Sequence, residues 1–178
     1  MPNSSLVIQA KNDMLVALQN DDRIIEALGI HDDEDIDNLI ADSDKDALSK
    51  KRLFPHWFVP KTQDIAKTYI CIEAGVTAIE RRFTSSVAPK TYDIATITIY
   101  VLSHQDDLYM NKAGVSAIRP DYLSVLIDEK FNGSNEFGIG TLQRISNEPY
   151  SLKDNVHRYR QIVFQAVDFN DNMCEVIQ

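Results

Sequence analysis

"YDIATITIYVLSHQDD", residues 92–107, begins as a strand and ends as something else. Thr96, Thr98 and Tyr100 alternate with Ile97, Ile99 and Val101, the period of two that marks a half-buried β-strand. His104, Asp106 and Asp107 then fall within four residues. A histidine and two carboxylates at a strand end can hold a metal or move protons. The other reading is a strand that runs into a polar loop.

Upstream, "KTYICIEAGV" (67–76) is equally rich in β-formers. Between the two strands lies the polar "ERRFTSSVAPKT" (80–91), so the pair reads as a hairpin with an extended tip. That loop carries Arg81, Arg82 and Lys90 beside Phe83, an aromatic with no strand partner. Long loops on a rigid sheet are common binding elements, and arginine with an aromatic is a frequent hot-spot pair. These four residues are the candidate interface.

Downstream, "PDYLSVLIDEKF" (120–131) is the clearest helix. Pro120 suits its first turn, Asp121 complements the dipole, and Asn132-Gly133 stops it. Tyr122, Leu123, Leu126, Ile127 and Phe131 form its apolar face. Two more strands are expected over 139–150 and 157–169. In the last, Ile162, Phe164 and Ala166 oppose Tyr159, Val163, Val167 and Phe169. A strand apolar on both faces wants cover on both, from the N-terminal helices or from a neighbouring subunit.

The N-terminal segment is helical in pattern. Leu6, Ile8, Met14, Leu15 and Leu18 give a helix over 5–18, capped by Ser4 or Ser5. Asp21 and Asp22 open a second helix with Ile24, Ile25 and Leu28, closed by Gly29. A third is expected over 33–41, with Ile36, Leu39 and Ile40 inward. Residues 51–66, with Pro55 and Pro60 around "HWFV", read as an extended connector pinned by its aromatics. The order ααα, ββ, α, ββ gives an α+β fold: one antiparallel sheet of about four strands, a packed helix and an N-terminal helical segment. The expected organisation is a single domain over 1–178, with a helical segment 1–50, the connector 51–66, the α+β core 67–170 and a tail 171–178.

The composition sets bounds. The 178 residues, 44% hydrophobic and 25% charged, suffice for one globular core. No run approaches the ~20 apolar residues of a membrane helix, and no secretory signal is expected. Cys71 and Cys174 make neither a disulfide framework nor a zinc site. The net charge of −9 is concentrated: residues 31–46 hold eight carboxylates and one lysine, whereas the other nineteen acids face seventeen bases. No clustered Lys/Arg grip for nucleic acid is present.

The chemistry-bearing motifs are thin. Asp42, Asp44 and Asp46 start like a calcium loop, but Ala47 stands where its glycine belongs and Leu53 where its bidentate glutamate belongs. His31, His56 and His157 share no ligand spacing with His104. No nucleophile elbow or P-loop occurs, and Cys71 lies inside a strand. The glycines of "NGSNEFGIG" (132–140) follow a helix and precede a strand, the reverse of a phosphate loop. The expectation is no enzyme, no metal and no cofactor.

Several segments together resemble a known family: "MLVALQNDDRIIEALGI", "FVPKTQDIAKTYICIEA", "ATITIYVLSHQDD", "IRPDYLSVLIDEKFNG" and "YRQIVFQAVDFND", in that order. The chain resembles the tail terminator (tail-completion or neck) proteins of long-tailed bacteriophages and of phage-derived contractile particles. Residues 31–53 match least. The resemblance implies a virion protein of the tail or neck, made in the cytoplasm of the bacterial host. It implies self-assembly into a ring, commonly a hexamer, that caps the tail tube and docks the head connector. In contractile tails it also meets the sheath. DNA would pass through the lumen without specific binding, and no membrane is involved. Two alternatives are another neck or head-completion connector protein, and a small metal-dependent hydrolase built on His104, Asp106 and Asp107.

Overall fold

The computed structural model describes residues 4–30, 35–41, 50–58, 66–81, 90–110, 114, 117–150 and 156–167, without the side chains of 78–81, 90–92 and 167. The expected strand at 92–102 is longer than its alternation. β2 (Thr68–Arg81) and β3 (Lys90–His104) pair antiparallel throughout, from Thr68↔Ser103 to Arg81↔Lys90. The connection is therefore 82–89, shorter than the polar stretch 80–91, because backbone pairing continues past the apolar run. β5 (His157–Val167) joins β3 from Thr96↔Gln165 to His104↔His157, and β4 (Thr141–Tyr150) lies on the outer side of β5. A register shift between Arg144 and Ser146 leaves Ile145 as the extra residue of a bulge, 55% exposed.

The connector contributes a strand that its prolines had hidden. β1 (Leu53–Phe54) runs parallel to β2, with Leu53 opposite Ile70 and Phe54 opposite Cys71. The sheet thus has five strands in the order β1-β2-β3-β5-β4, rather than about four, and it is mixed at one edge.

Three helices cover one face. α1 (Ser4–Gln19) buries Val7, Ala10, Met14, Leu15 and Leu18. The stripe runs through 7, 10, 14 and 18, and this turns Leu6 and Ile8, both expected inward, out to 39% and 55% exposure. α2 (Asp22–Leu28) starts where Asp21 accepts the Arg23 N–H and ends at Gly29 with φ 64°. α3 (Arg119–Phe131) has Pro120 in its first turn and buries Leu123, Leu126, Ile127 and Phe131. These side chains share one core with Ile70, Ile72, Ile97, Ile99, Val101, Ile162 and Phe164 of the sheet. The N-terminal helices therefore lie on the same face as α3. They do not cover the second face.

The third expected helix is one 3-10 turn, Ile36–Asn38, with Ile36 half exposed and Leu39 buried. The Gln19 side chain explains the stop. Its Oε1 accepts the Leu39 N–H and its Nε2 donates to the Asp37 carbonyl, taking backbone groups that a helix needs. Residues 33 and 34 lie outside the described residues.

On the second face, alternation brings up Thr96 and Thr98 of β3 and Gln161, Val163 and Gln165 of β5. One end of it is apolar. There Phe54, Phe58, Tyr69, Cys71, Leu102, Tyr159, Trp57 and Tyr100 form a smaller cluster. Phe54 and Phe58 stack at 4.0 Å. Beyond Val163, the second face of the last strand is apolar at Tyr159, and the connector covers it there.

The core reading makes α3 the keystone of the helical layer. Leu126→Ala or Ile127→Ala is expected to cost about 2–5 kcal/mol by urea unfolding, the range for emptying a core site. A loss below about 1 kcal/mol would put that face at the surface.

Candidate functional site

The strand end that raised the question of chemistry leads into the fold. β3 delivers His104 at its last position, 5% exposed, and a 3-10 turn (Gln105–Asp107) follows. His104 Nδ1 accepts the Asp106 N–H at 3.2 Å, so this nitrogen caps the turn in the Nε2–H tautomer. An ion pair between Nδ1 and the Asp106 carboxylate, 3.5 Å away, would need the proton that this cap excludes. Asp106 points outward, with its side chain 71% exposed. The two imidazoles of His104 and His157 meet edge to face at 5.5 Å.

Asp107 turns the opposite way. Its Oδ2 accepts from Thr68 Oγ1 at 2.7 Å, and Oδ1 pairs with Arg119 Nη2 at 3.0 Å. Because the carboxylate only accepts, Thr68 donates to it. Ser103 Oγ, 2.8 Å from Thr68 Oγ1, then donates to Thr68. His104, Asp106 and Asp107 therefore diverge into a cap, solvent and a buried ion pair. They do not converge as a ligand set or as an acid–base pair.

Arg119 is the residue that sequence reading passed over. It opens α3, where a cation opposes the helix dipole, and that mismatch was the available signal. Its guanidinium instead serves the other end of a different helix. Nη1 donates to the Ala27 carbonyl in the last turn of α2, and Nε donates to the Asp107 carbonyl at 2.8 Å. Arg52, fully buried, donates from Nη1 to the Thr68 carbonyl at 3.0 Å and from Nη2 to the Gly29 carbonyl at 3.4 Å. Two guanidinium groups thus sit at the C-terminus of α2, where free carbonyls and the negative end of the dipole favour them. Burial lowers the Arg119 pKa; Asp107 acts against that shift and Arg52 with it. Gly29 is required by this packing. A Cβ there would lie 2.7 Å from Arg119 Nη1, on a backbone already at φ 64°.

The other candidates resolve differently. Cys71 is fully buried with Sγ 3.7 Å from the Phe58 carbonyl, and burial pushes its thiol up to about 12. The glycines of 132–140 are turn residues with φ 85°, 71° and 96° at Gly133, Gly138 and Gly140. Asp42, Asp44 and Asp46 lie outside the described residues, as do Arg82 and Phe83 of the candidate interface. The backbones of Arg81 and Lys90 close the β2–β3 ladder. No helix among the described residues is long and apolar enough to cross a membrane.

The fold and this centre define a class: a small α+β protein whose buried polar groups tie a helical layer to a sheet. The chain belongs to the YomW family, whose model matches residues 21–166, from the cap of α2 to the penultimate residue of β5. That membership associates the protein with bacteriophages. No curated protein matches the chain.

The centre makes a sharp prediction for neighbouring acids. Asp107→Asn removes the charge facing Arg119 and should cost about 3–5 kcal/mol, as for breaking one side of a buried pair. Asp106→Ala, at an exposed side chain, should change stability by less than about 1 kcal/mol. Chemical denaturation of both variants separates them. Equal effects would refute the buried tie.

Proposed function

We propose that the protein is a structural ring subunit of a phage particle, closing the tail tube and joining the tail to the head connector. Family membership supports the phage setting. The observation that carries the reading is an arm. β2 and β3 remain paired out to Arg81↔Lys90, whereas among the described residues β5 accompanies β3 only as far as Thr96↔Gln165. From Gly75↔Thr96 outward, the hairpin runs about 20 Å beyond the last β3–β5 pair. A two-stranded ribbon in water is marginal by itself. Contact with a neighbouring copy or with the tube below would stabilise it.

In this reading the arm presents Arg81, Arg82, Phe83 and Lys90 to the adjacent subunit or to the tube protein. The ring is a hexamer that also meets the sheath where the tail is contractile. Its function is mechanical, without a catalytic step or a cofactor, and DNA traverses the lumen without being gripped. The side chains that a hydrolase would have used are those holding Arg119 and the turn at 105–107.

Light scattering of the purified chain should show a closed species of several protomers, six for a hexamer, and negative-stain images should show a ring. A monomer at every concentration, in the presence and absence of tube protein, would overturn the reading. Phage lacking the protein should make tails of uncontrolled length. Tails of normal length that fail to join filled heads would mark a head-completion connector instead.

The arm has its own test. Replacing 82–89 by Asn-Gly closes the hairpin with a two-residue turn. The variant should fold with unchanged stability yet fail to form rings or capped tails. Normal capped tails would reduce the segment to a spacer.

A further inference from the structure

The apolar end of the second sheet face contains a cleft lined, among the described residues, by Trp57, Glu73, Tyr100 and Tyr150. None of these residues takes part in the tie around Arg119. The three rings stand roughly perpendicular to one another. Trp57 and Tyr100 meet at 4.5 Å and 79°, Trp57 and Tyr150 at 6.5 Å and 75°, and Tyr100 and Tyr150 at 6.2 Å and 65°. Such spacing lets one cation lie within the ~6 Å cation–π range of all three centroids. Tyr159 stacks behind Trp57 at 5.9 Å and 21°, which fixes the indole.

The carboxylate gives the cleft its sign. Glu73 is exposed at the cleft wall, and its Oε1 accepts the Trp57 backbone N–H at 3.2 Å. This bond holds the acid against the rings and leaves Oε2 to accept from a ligand. Among the described residues no lysine or arginine forms an ion pair with Glu73, whereas Asp21, Asp107, Asp121, Asp128 and Glu129 each have one. Burial, then Glu73 and Tyr150, push the Tyr100 hydroxyl above its ordinary pKa.

The geometry points to a docking site for an arginine side chain presented by a protein partner. A planar guanidinium can lie on an aromatic face while its N–H groups reach a carboxylate. A compact, strongly hydrated ammonium uses such a surface less well, and a quaternary ammonium cannot donate to Glu73. The inference is independent of the ring proposal, because it concerns only what the cleft binds.

Trp57 is the chain's one tryptophan, so its fluorescence reports on the cleft alone. The full-length protein is titrated at constant ionic strength with N-acetyl-arginine amide, N-acetyl-lysine amide and tetramethylammonium chloride. Arginine amide should give a saturable change with a dissociation constant in the millimolar range, at least fivefold tighter than the other two probes. Glu73→Gln should weaken it by about tenfold, the effect of losing one charge-assisted hydrogen bond. Tyr150→Ala, at a 44% exposed ring, should also weaken it. Glu136→Gln, an exposed acid of the α3–β4 turn, should leave it unchanged. No saturable response, or a response equally strong in Glu73→Gln, would overturn the proposal. Tighter binding of tetramethylammonium would overturn it in favour of a small-molecule ammonium site.

Discussion

The two guanidinium groups at the C-terminus of α2 hold the architecture together. A seven-residue helix is too short to persist alone. Its last carbonyls lie in the interior, where unpaired acceptors are costly. Arg119 reaches Ala27 from the start of α3, and Arg52 reaches Gly29 from the position just before β1. Each arginine also grips the sheet side of the interface, at Asp107 or at the Thr68 carbonyl. One junction therefore fixes α2, α3, β1, β2 and the turn after β3 relative to one another. Apolar contacts alone would let these elements slide, because dispersion and burial carry little directional information.

Around this junction α3 is tied outward by ion pairs of a different kind. Arg160 of β5 pairs with Asp121, Arg144 of β4 with Asp128, Lys130 with Asp21, and Arg23 with Glu129. Lys130 and the Arg23 N–H hold the Asp21 carboxyl below its ordinary value against the opposing effect of burial. The stability that Asp21 confers is therefore full above the unfolded carboxylate pKa and is lost as pH falls through the lower folded value. These pairs line the rim of the helical layer. Exposed ones such as Arg23–Glu129 contribute little each; two of the pairs join α3 to α2 and its cap, and two join it to β4 and β5.

Much of this was legible in the sequence. The alternation at 96–101 and the stripe of 120–131 are dense local signals, and both became the elements they announced. The failures have physical causes. Leu6 and Ile8 are hydrophobic but flank the stripe that Val7 starts, and composition cannot choose between adjacent stripes. The helix expected at 33–41 was pre-empted by the Gln19 side chain, fourteen or more positions upstream, which no local window contains. β1 is two residues long and exists because β2 offers it a parallel edge. The site was the least legible part. His104 and Asp107 were singled out by chemistry, yet their partners at Thr68, Ser103 and Arg119 come from other elements. Only the oddity of a cation opening α3 hinted at where the polar residues converge.

The division of polar groups between the two faces bears on what such a molecule can do. On the helical side, Asp107 and the acids of α3 face arginines within the fold, so those charges are committed internally. On the other side, the sheet shows threonines and glutamines, an aromatic end carrying Glu73, and an arm that continues beyond its neighbours. A threonine- and glutamine-bearing sheet face is stable in water as it stands and can also form hydrogen bonds to a partner at small desolvation cost. The arm is different, because among the described residues its outer rungs have no third strand to lean on. A protein whose interior is fixed by buried, directional ties and whose projecting ribbon is marginal alone is suited to assembly. The rigid part holds its shape, and the outer rungs of the arm are where contact with another molecule would add the most stability.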